Sequence, residues 1–246
     1  MQLGLTYVRE LERLEYPIAK TLASFGALDG TVVVVDEKDP DIRGTEKALV
    51  SLATSKLWIV RCPWDFSGRL GGRAIRDVLF VGLKFAKAKG AKRILYLEAD
   101  EAMLPNHVSE LTIEKPDLAW LPRYTFWGDD RLIRLDWTVV LPRYASFEAL
   151  QANLMAGEGD ASHLPMKPSY AVQQRPEFPI FHYSRVGNPK LIADRRSAIA
   201  RMWAPDQMLA IPAEYDFVPR RFENWIVGQQ QPEVEGQFAS YGGPYP

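Results

Sequence analysis

The sequence predicts an α/β protein in which helices cover both faces of a mostly parallel β-sheet. Strand-like and helix-like segments alternate through residues 1–120, as they do where helices join parallel strands. The strand-like runs are short, and Thr31–Val35 is a run of β-branched residues fit for a buried strand. Two of these runs lead directly into acidic residues. Residues 121–246 are less regular and are rich in proline and aromatic side chains.

The alternation starts with a strand over Leu3–Val8 and a helix over Glu10–Phe25, in which apolar residues recur at helical spacing. Pro17 should interrupt this helix, because proline has no backbone N–H to donate. Gly90 is expected to end the longest helix. The remaining predicted elements are the strands Thr31–Val35, Leu57–Val60 and Arg93–Leu97 and the helices Thr45–Ala53, Arg73–Lys89 and, in the second half, Lys190–Met202.

The composition is that of a globular protein, with 47% hydrophobic and 25% charged residues and a net charge of -1. A chain so close to neutrality does not predict a large phosphate-binding face. Cys62 is the only cysteine, which excludes an intrachain disulfide and a cysteine-based zinc site. The chain has only 3 histidines, so a bound metal would be held mainly by carboxylates, and this favours a hard cation.

Nothing in the sequence resembles a membrane or secretion segment. Charged residues interrupt the N-terminal segment from Arg9 onward, unlike in a signal peptide. No uncharged apolar run approaches the roughly 20 residues needed to cross a bilayer. We therefore expect a soluble, cytoplasmic protein without a transmembrane segment.

Acidic residues follow two of the predicted strands at the point where each strand ends. Asp36 follows TVVVV, and Glu98, Asp100 and Glu101 follow RILYL. Ligands of parallel sheets bind beyond the carboxyl ends of the strands, so these residues predict a site at that edge. Glu98 and Asp100, two positions apart, are typical of a Mg²⁺ or Mn²⁺ site. Solvated polar turns are the alternative explanation for both acidic segments.

Four segments occur in an order that resembles a known family: LTYVRELERL, TVVVVDEKDPD, FSGRLGGRAIRD and RILYLEADEAMLPN. A later segment, PIFHYSRVGNPK, is similar to a His-Tyr segment of the same family. The ordered set resembles family 2 glycosyltransferases of the GT-A fold, over about residues 3–105 and 178–190. The resemblance implies a GT-A (Rossmann-like) fold with an irregular C-terminal acceptor-side region. It also implies transfer of a sugar from a nucleotide-sugar donor, UDP-linked, to a hydroxyl acceptor, with inversion and with a divalent metal.

The resemblance assigns roles to residues of the donor site. Thr6 and Tyr7 would border the nucleotide base, and Asp36 would accept a hydrogen bond from it. Arg73 or Arg76 would contact the base or a phosphate. Asp77 stands where the family often has asparagine.

The resemblance also implies a metal site for Mn²⁺ or Mg²⁺. Asp100 would be the principal metal ligand. Glu98 stands where the first aspartate of the family's motif is expected, and would touch the ribose, the metal or its bound water. His182 would be a further ligand of the metal or of the diphosphate. Without the resemblance, His182 reads as a packed, hydrogen-bonded residue of the core.

An inverting transfer needs a carboxylate that accepts the acceptor's proton, and this base is expected in the second half of the chain. Glu158 and Asp160 are the candidates by position, and Asp129 and Asp130 are rivals. Asp160 as an ordinary turn or helix-cap residue is the alternative.

The predicted organisation is a single GT-A-like domain over residues 1–228. Residues 1–120 would form its nucleotide-sugar-binding half and residues 121–228 its acceptor-side half, with an extended or flexible tail over 229–246. Arginine and aromatic residues interleave in the second half, as in RYTFW. This pattern suits a sugar platform, a diphosphate clamp, a nucleic-acid groove or simply core aromatics flanked by solvated arginines.

The acceptor would then be a saccharide or the hydroxymethylated base of DNA. Two other functions stay open from the sequence. One is a nucleotidyltransferase of the same fold, and the other is a non-catalytic nucleotide- or nucleic-acid-binding protein on a degenerate GT-A scaffold.

Overall fold

The protein is described by a computed structural model covering residues 1–65, 71–156, 172–203 and 238–240. Nine strands in these ranges belong to one mixed sheet, and α-helices pack on both of its faces. The predicted α/β class is confirmed. No helix in the described ranges is long and apolar enough to cross a membrane.

The first half of the chain forms the parallel part of the sheet. Strands β1, β2, β3 and β4 lie in the order β3-β2-β1-β4, and every neighbouring pair among them is parallel. This is the order of nucleotide-binding doubly wound sheets, and it agrees with the expected Rossmann-like arrangement. The bounds of these strands are Gln2–Val8 for β1, Gly30–Asp36 for β2, Leu57–Cys62 for β3 and Arg93–Tyr96 for β4.

The helix predicted over Glu10–Phe25 is divided into α1 and α2. Glu10 and Glu15 both have left-handed backbone conformations, with φ of 52° and 44°, and they bracket the single turn of α1. Pro17 immediately precedes α2, which confirms the predicted break. Gly90, with φ of 85°, follows α4 as expected. The bounds are Leu11–Leu14 for α1, Ile18–Ser24 for α2, Ile42–Leu52 for α3 and Gly71–Ala88 for α4.

Strand β2 shows why the parallel strands are almost wholly apolar, because all seven of its residues are buried. Val32 and Val34 pack in one hydrophobic cluster with residues of α4, whereas Val33 and Val35 pack in a second cluster with residues of α2 and α3. Successive side chains of a strand point to opposite faces, so helices must cover both faces of this sheet.

The second half extends the sheet through a long strand that the sequence analysis did not predict. This strand, β6, runs antiparallel to β4 near its C-terminal end and parallel to β8 nearer its start. The sheet order therefore continues as β4-β6-β8-β5. The bounds are Glu101–Ala102 for β5, Pro105–Glu114 for α5, Leu118–Ser146 for β6, Phe147–Ala156 for α6, Val172–Gln174 for β7, Ile180–Val186 for β8 and Pro189–Trp203 for α7.

Helix α7 confirms the helix predicted over Lys190–Met202. A last strand, β9, spans Phe238–Ser240 and pairs antiparallel with β6. It lies within residues 229–246, the segment for which the sequence predicts an extended tail.

Candidate functional site

The site lies where the four parallel strands end, at the edge that the sequence predicts. The strand order reverses between β1 and β4, because β2 lies on one side of β1 and β4 on the other. In open α/β sheets such a switch point leaves a crevice for ligands. Five of the predicted site residues lie at or near this edge: Thr6 and Tyr7 near the end of β1, Asp36 at the end of β2, and Glu98 and Asp100 just after β4.

Three of the predicted site residues, two just after β4 and one on β8, form a compact group that we call the metal triad: Glu98, Asp100 and His182. Each offers a ligand atom, and these atoms all lie within 4.8 Å of one another. Nε2 of His182 is 3.5 Å from Oδ2 of Asp100. The structure thus brings together the three residues that the resemblance implies as metal ligands. Their action as ligands stays a prediction.

The backbone around the metal triad is held by hydrogen bonds from two other elements. The Thr21 hydroxyl on α2 donates to the carbonyl oxygens of Ala99 and Glu101, at 3.0 and 2.8 Å. The Tyr183 N–H on β8 donates to the carbonyl oxygen of Asp100 at 2.8 Å. The turn after β4 is therefore fixed against both α2 and β8, which pre-positions the Asp100 side chain beside His182.

A buried arginine neutralises the acidic turn. The guanidinium of Arg143, on β6, is fully buried and donates to Glu101 at 2.8 Å and to Glu98 at 3.1 Å. A second guanidinium, of Arg123, lies 3.5 Å from Glu101. Burial alone would raise the pKa of Glu101, but Arg143 and Arg123 outweigh it and hold that pKa below its ordinary value. The carboxylate is therefore ionised at neutral pH.

Asp100 and His182 are kept in the protonation states that bind metal. Burial would raise the pKa of Asp100, but its interaction with His182 and the nearby charges of Arg195 and Arg123 lower it. Burial lowers the pKa of His182, and the adjacent Asp100 offsets only part of this effect. An ionised carboxylate and a neutral imidazole are the forms that coordinate a divalent cation.

Three aromatic rings pack together where β1, β3 and β4 end, and we call them the aromatic trio: Tyr7, Trp64 and Tyr96. The ring centroids of Tyr7 and Tyr96 are 6.3 Å apart in a stacked arrangement, and Trp64 meets Tyr7 edge-on at 5.5 Å. Arg143 links the trio to the triad, because its guanidinium lies 4.4 Å from the centre of the Tyr96 ring. Thr6, predicted beside the base together with Tyr7, has no accessible surface.

Asp36 lies at the end of β2 as predicted, but its carboxylate is fully buried rather than open to a ligand. One oxygen, Oδ1, accepts the backbone N–H of Lys38 at 3.0 Å and of Trp64 at 3.1 Å. The other, Oδ2, is 3.3 Å from Nε of Arg9. Asp36 therefore holds the segment after β3 against β2.

The remaining predicted residues are not brought to the triad by described contacts. Arg76 lies beside Asp77 on α4, with Nη2 3.4 Å from Oδ1. Both line a surface cavity of about 530 Å³ between α4 and α6 whose lining includes no member of the triad. The side chains of Arg73, Asp129 and Asp130 and the whole of Glu158 and Asp160 lie outside the described residues.

Four residues of this edge were missed by the sequence analysis: Trp64, Tyr96, Arg123 and Arg143. Arg123 belongs to the RYTFW segment, where the interleaving of arginine and aromatic residues is a visible signal. Arg143 stands in the same four-residue run, LPRY, as Arg123, but this run does not show that its side chain meets the acidic turn. Its position depends on the pairing of β6 with β4, in which Leu95 faces Tyr144.

Comparisons with known proteins give matches at the level of structure alone. No protein-family model matches the sequence, and no curated protein sequence matches it. Among solved structures the chain is similar to residues 1–349 of S. aureus TarS, which was also solved with UDP and with UDP-GlcNAc. The first of these likenesses has 12% identity and a TM-score of 0.46, and it covers 82% of this chain and 64% of that chain.

A Bacillus anthracis protein described as a glucose-1-phosphate thymidylyltransferase, solved with a sucrose, is similar at 10% identity and a TM-score of 0.45. That likeness covers 82% of this chain and 96% of the other. The chain spans less than two thirds of the length of the TarS fragment. At such low identities the likeness concerns the fold alone.

Proposed function

We propose that this protein is a glycosyltransferase that takes a sugar from a nucleotide-sugar donor, UDP-linked, and uses Mn²⁺ or Mg²⁺. The observation that supports this most directly is the metal triad at the switch point of a parallel sheet, with the aromatic trio linked to it through Arg143. A nucleotide sugar needs a site for its metal-bound diphosphate and an aromatic ring for its base. Tyr7 is the partly exposed member of the trio, whereas Trp64 and Tyr96 are buried. Both parts belong to the edge where the parallel strands end, and ligands of such sheets bind at this edge.

The residues present fit a hard divalent cation. Two carboxylates and one neutral imidazole supply the oxygen and nitrogen ligands that Mn²⁺ and Mg²⁺ accept. The carboxylates already lie among three guanidinium groups, those of Arg123, Arg143 and Arg195. A cation alone would therefore add uncompensated charge to this site, whereas a cation with a diphosphate would restore the balance. We expect the metal and the nucleotide to strengthen each other's binding.

In the proposed reaction the protein positions the donor and holds its charges. The aromatic trio offers Tyr7 as the surface against which the base stacks. Glu98, Asp100 and His182 hold the cation, which when bound stabilises the charge that develops on the leaving diphosphate. Arg143 donates to the Glu98 carboxylate at 3.1 Å and holds it in place. The acidic turn is pre-organised by Thr21, so little rearrangement is needed on binding.

The acceptor in this proposal is a hydroxyl group, of a saccharide or of a hydroxymethylated base in DNA. Its proton would be taken by one of the carboxylates predicted from the sequence, Asp160, Glu158 or Asp130. Inversion of configuration at the sugar would follow from direct attack by the acceptor. These assignments rest on the resemblance and on position in the chain.

A thermal-shift panel tests the proposal. The purified chain is heated with nucleoside diphosphates and nucleotide sugars, each with Mn²⁺ or with EDTA. A ligand at about 100 times its Kd should stabilise the protein by about 2.7 kcal/mol. We expect one nucleotide family, that of uridine, to raise the Tm in the presence of Mn²⁺ and to have little effect in EDTA.

Two variants make the test specific to the metal triad. Asp100→Asn should abolish the Mn²⁺-dependent shift, because it removes the charge of the principal ligand. Asp117→Asn is the matched control, since Asp117 is exposed and pairs only at 3.7 Å with Arg93. A wild-type protein that shows no shift with any nucleotide and Mn²⁺ would contradict the proposed function. If Asp100→Asn shows the same Mn²⁺-dependent rise in Tm as the wild type, the metal triad is not the site that binds the metal.

A further inference from the structure

His182 lies on β8, which pairs with one strand on each side. On one side β8 pairs in parallel with β6, where Thr125 is directly opposite His182. On the other side β8 pairs antiparallel with β5, where Glu101 is directly opposite His182. These two strand pairs fix the backbone of His182. The two nitrogens of its imidazole face different groups.

The two nitrogens meet different chemistry. Nε2 faces the Asp100 carboxylate at 3.5 Å. Nδ1 faces two hydroxyls, Oγ1 of Thr125 at 3.2 Å and Oγ of Ser184 at 3.4 Å. Only Nε2 therefore points toward the other members of the metal triad. Nδ1 can serve the site only through a hydrogen bond that sets which nitrogen carries the proton.

The hydroxyl of Thr125 suits both states of the ring. Without a cation, Nε2–H can donate to Asp100 while Nδ1 accepts from the hydroxyl. With a cation bound, the Nε2 lone pair must face it, and Nδ1–H must find an acceptor. A hydroxyl both donates and accepts, so one side chain satisfies Nδ1 in either case. Thr125 is also the more confined of the two hydroxyl residues, because only 4% of its surface is exposed.

We infer that Thr125 is a positioning residue for the metal site, which acts through Nδ1 of His182 and presents the Nε2 lone pair to the cation. This inference rests on the proposed function, since it deepens the same site. Mutation of a partner that hydrogen-bonds the second nitrogen of a ligating histidine commonly lowers metal affinity by about 10–100-fold. The structure contains a side chain in the right place for this role that neither the motif nor the resemblance assigns.

The test is a Mn²⁺ titration followed by electron paramagnetic resonance, with UDP present and without any turnover. Thr125→Val has nearly the same shape and lacks the hydroxyl, and we expect it to weaken Mn²⁺ binding by about tenfold or more. Thr125→Ser restores the hydroxyl and should bind within about threefold of the wild type. If the valine variant is recovered unfolded, Thr125→Ala carries the same expectation.

Thr45→Val is the matched control. Thr45, in α3, is another buried threonine and is not part of the triad. Its hydroxyl donates to Asp39 at 3.1 Å. It should lose thermal stability and keep its Mn²⁺ affinity. Equal Mn²⁺ affinity in wild type and Thr125→Val would overturn the inference and leave the proposed function standing. A wild-type protein that binds no Mn²⁺ in the presence of UDP would overturn both.

Discussion

The burial of Arg143 makes a sharp prediction about stability. Its side chain and that of Glu101 are both fully buried and lie 2.8 Å apart, while the second partner, Glu98, is about one-fifth exposed. Arg143→Met would leave the Glu101 carboxylate buried beside only the more distant Arg123. Breaking a buried ion pair in this way costs about 3–5 kcal/mol. The weaker contact to the partly solvated Glu98 adds little to this figure.

The expected loss is large enough to measure directly. For a chain of this size each kcal/mol shifts the Tm by about 2–4 °C, so Arg143→Met should lower it by about 6–20 °C. The assay is thermal unfolding followed by circular dichroism in EDTA. Arg61→Met is the control, because the Arg61–Glu46 pair is equally well formed but exposed to solvent. We expect that control to leave the Tm nearly unchanged.

A double variant separates the charge from the packing. Arg143→Met with Glu101→Gln removes both charges and keeps the amide oxygen that can accept the Glu98 N–H. Because the penalty of the single variant is mainly an unpaired charge, the double variant should recover at least half of the lost Tm. The reasoning is refuted if Arg143→Met unfolds within 2 °C of the wild type, roughly one kcal/mol. It is also refuted if the second substitution lowers the Tm further.

Three further predictions concern acid stability, the β2 terminus and the cysteine. The folded-state pKa of His182 lies below the value of 6.5 for a free histidine. The unfolded state therefore gains its proton more readily as the pH falls, and the metal-free Tm should drop below about pH 7. His182→Gln should flatten that part of a Tm-against-pH curve, and an unchanged slope would show that another group is responsible. Asp36→Ala should lower the free energy of urea unfolding by about 1–3 kcal/mol, because it leaves two backbone N–H groups without their acceptor. Asp36→Asn should lower it less. Equal stability of Asp36→Ala and the wild type would refute the anchoring role of Asp36. Burial raises the pKa of Cys62 to about 11, so the native thiol should react with a disulfide reagent at pH 8 far more slowly than the unfolded one, and equal rates would contradict its burial.

The parallel half of the fold was predictable because its signals are local. Strands such as β2 are uninterrupted apolar runs, and the helices between them show regular apolar spacing or end at residues such as Gly90. The residues of the metal triad were also predicted from the sequence. Two of its members follow β4, and His182 lies in a segment that resembles a known family. The structure brings the three within 4.8 Å.

The rest depends on pairings between distant parts of the chain. Strand β6 contains prolines, glycine and charges, and it is a strand because it pairs with β4, β7, β8 and β9. Arg143 reaches the acidic turn only through that pairing. The burial of Asp36 likewise arises because the segment after β3 folds back to donate the N–H of Trp64. No short stretch of sequence encodes either contact.

The most direct test of this account is anomalous diffraction at the manganese edge from crystals grown with UDP and Mn²⁺. The account predicts an anomalous peak within coordination distance of Glu98, Asp100 and Nε2 of His182, next to the diphosphate. The uracil should lie against Tyr7. A bound UDP with no peak at the triad, or with a peak elsewhere in the chain, would contradict it.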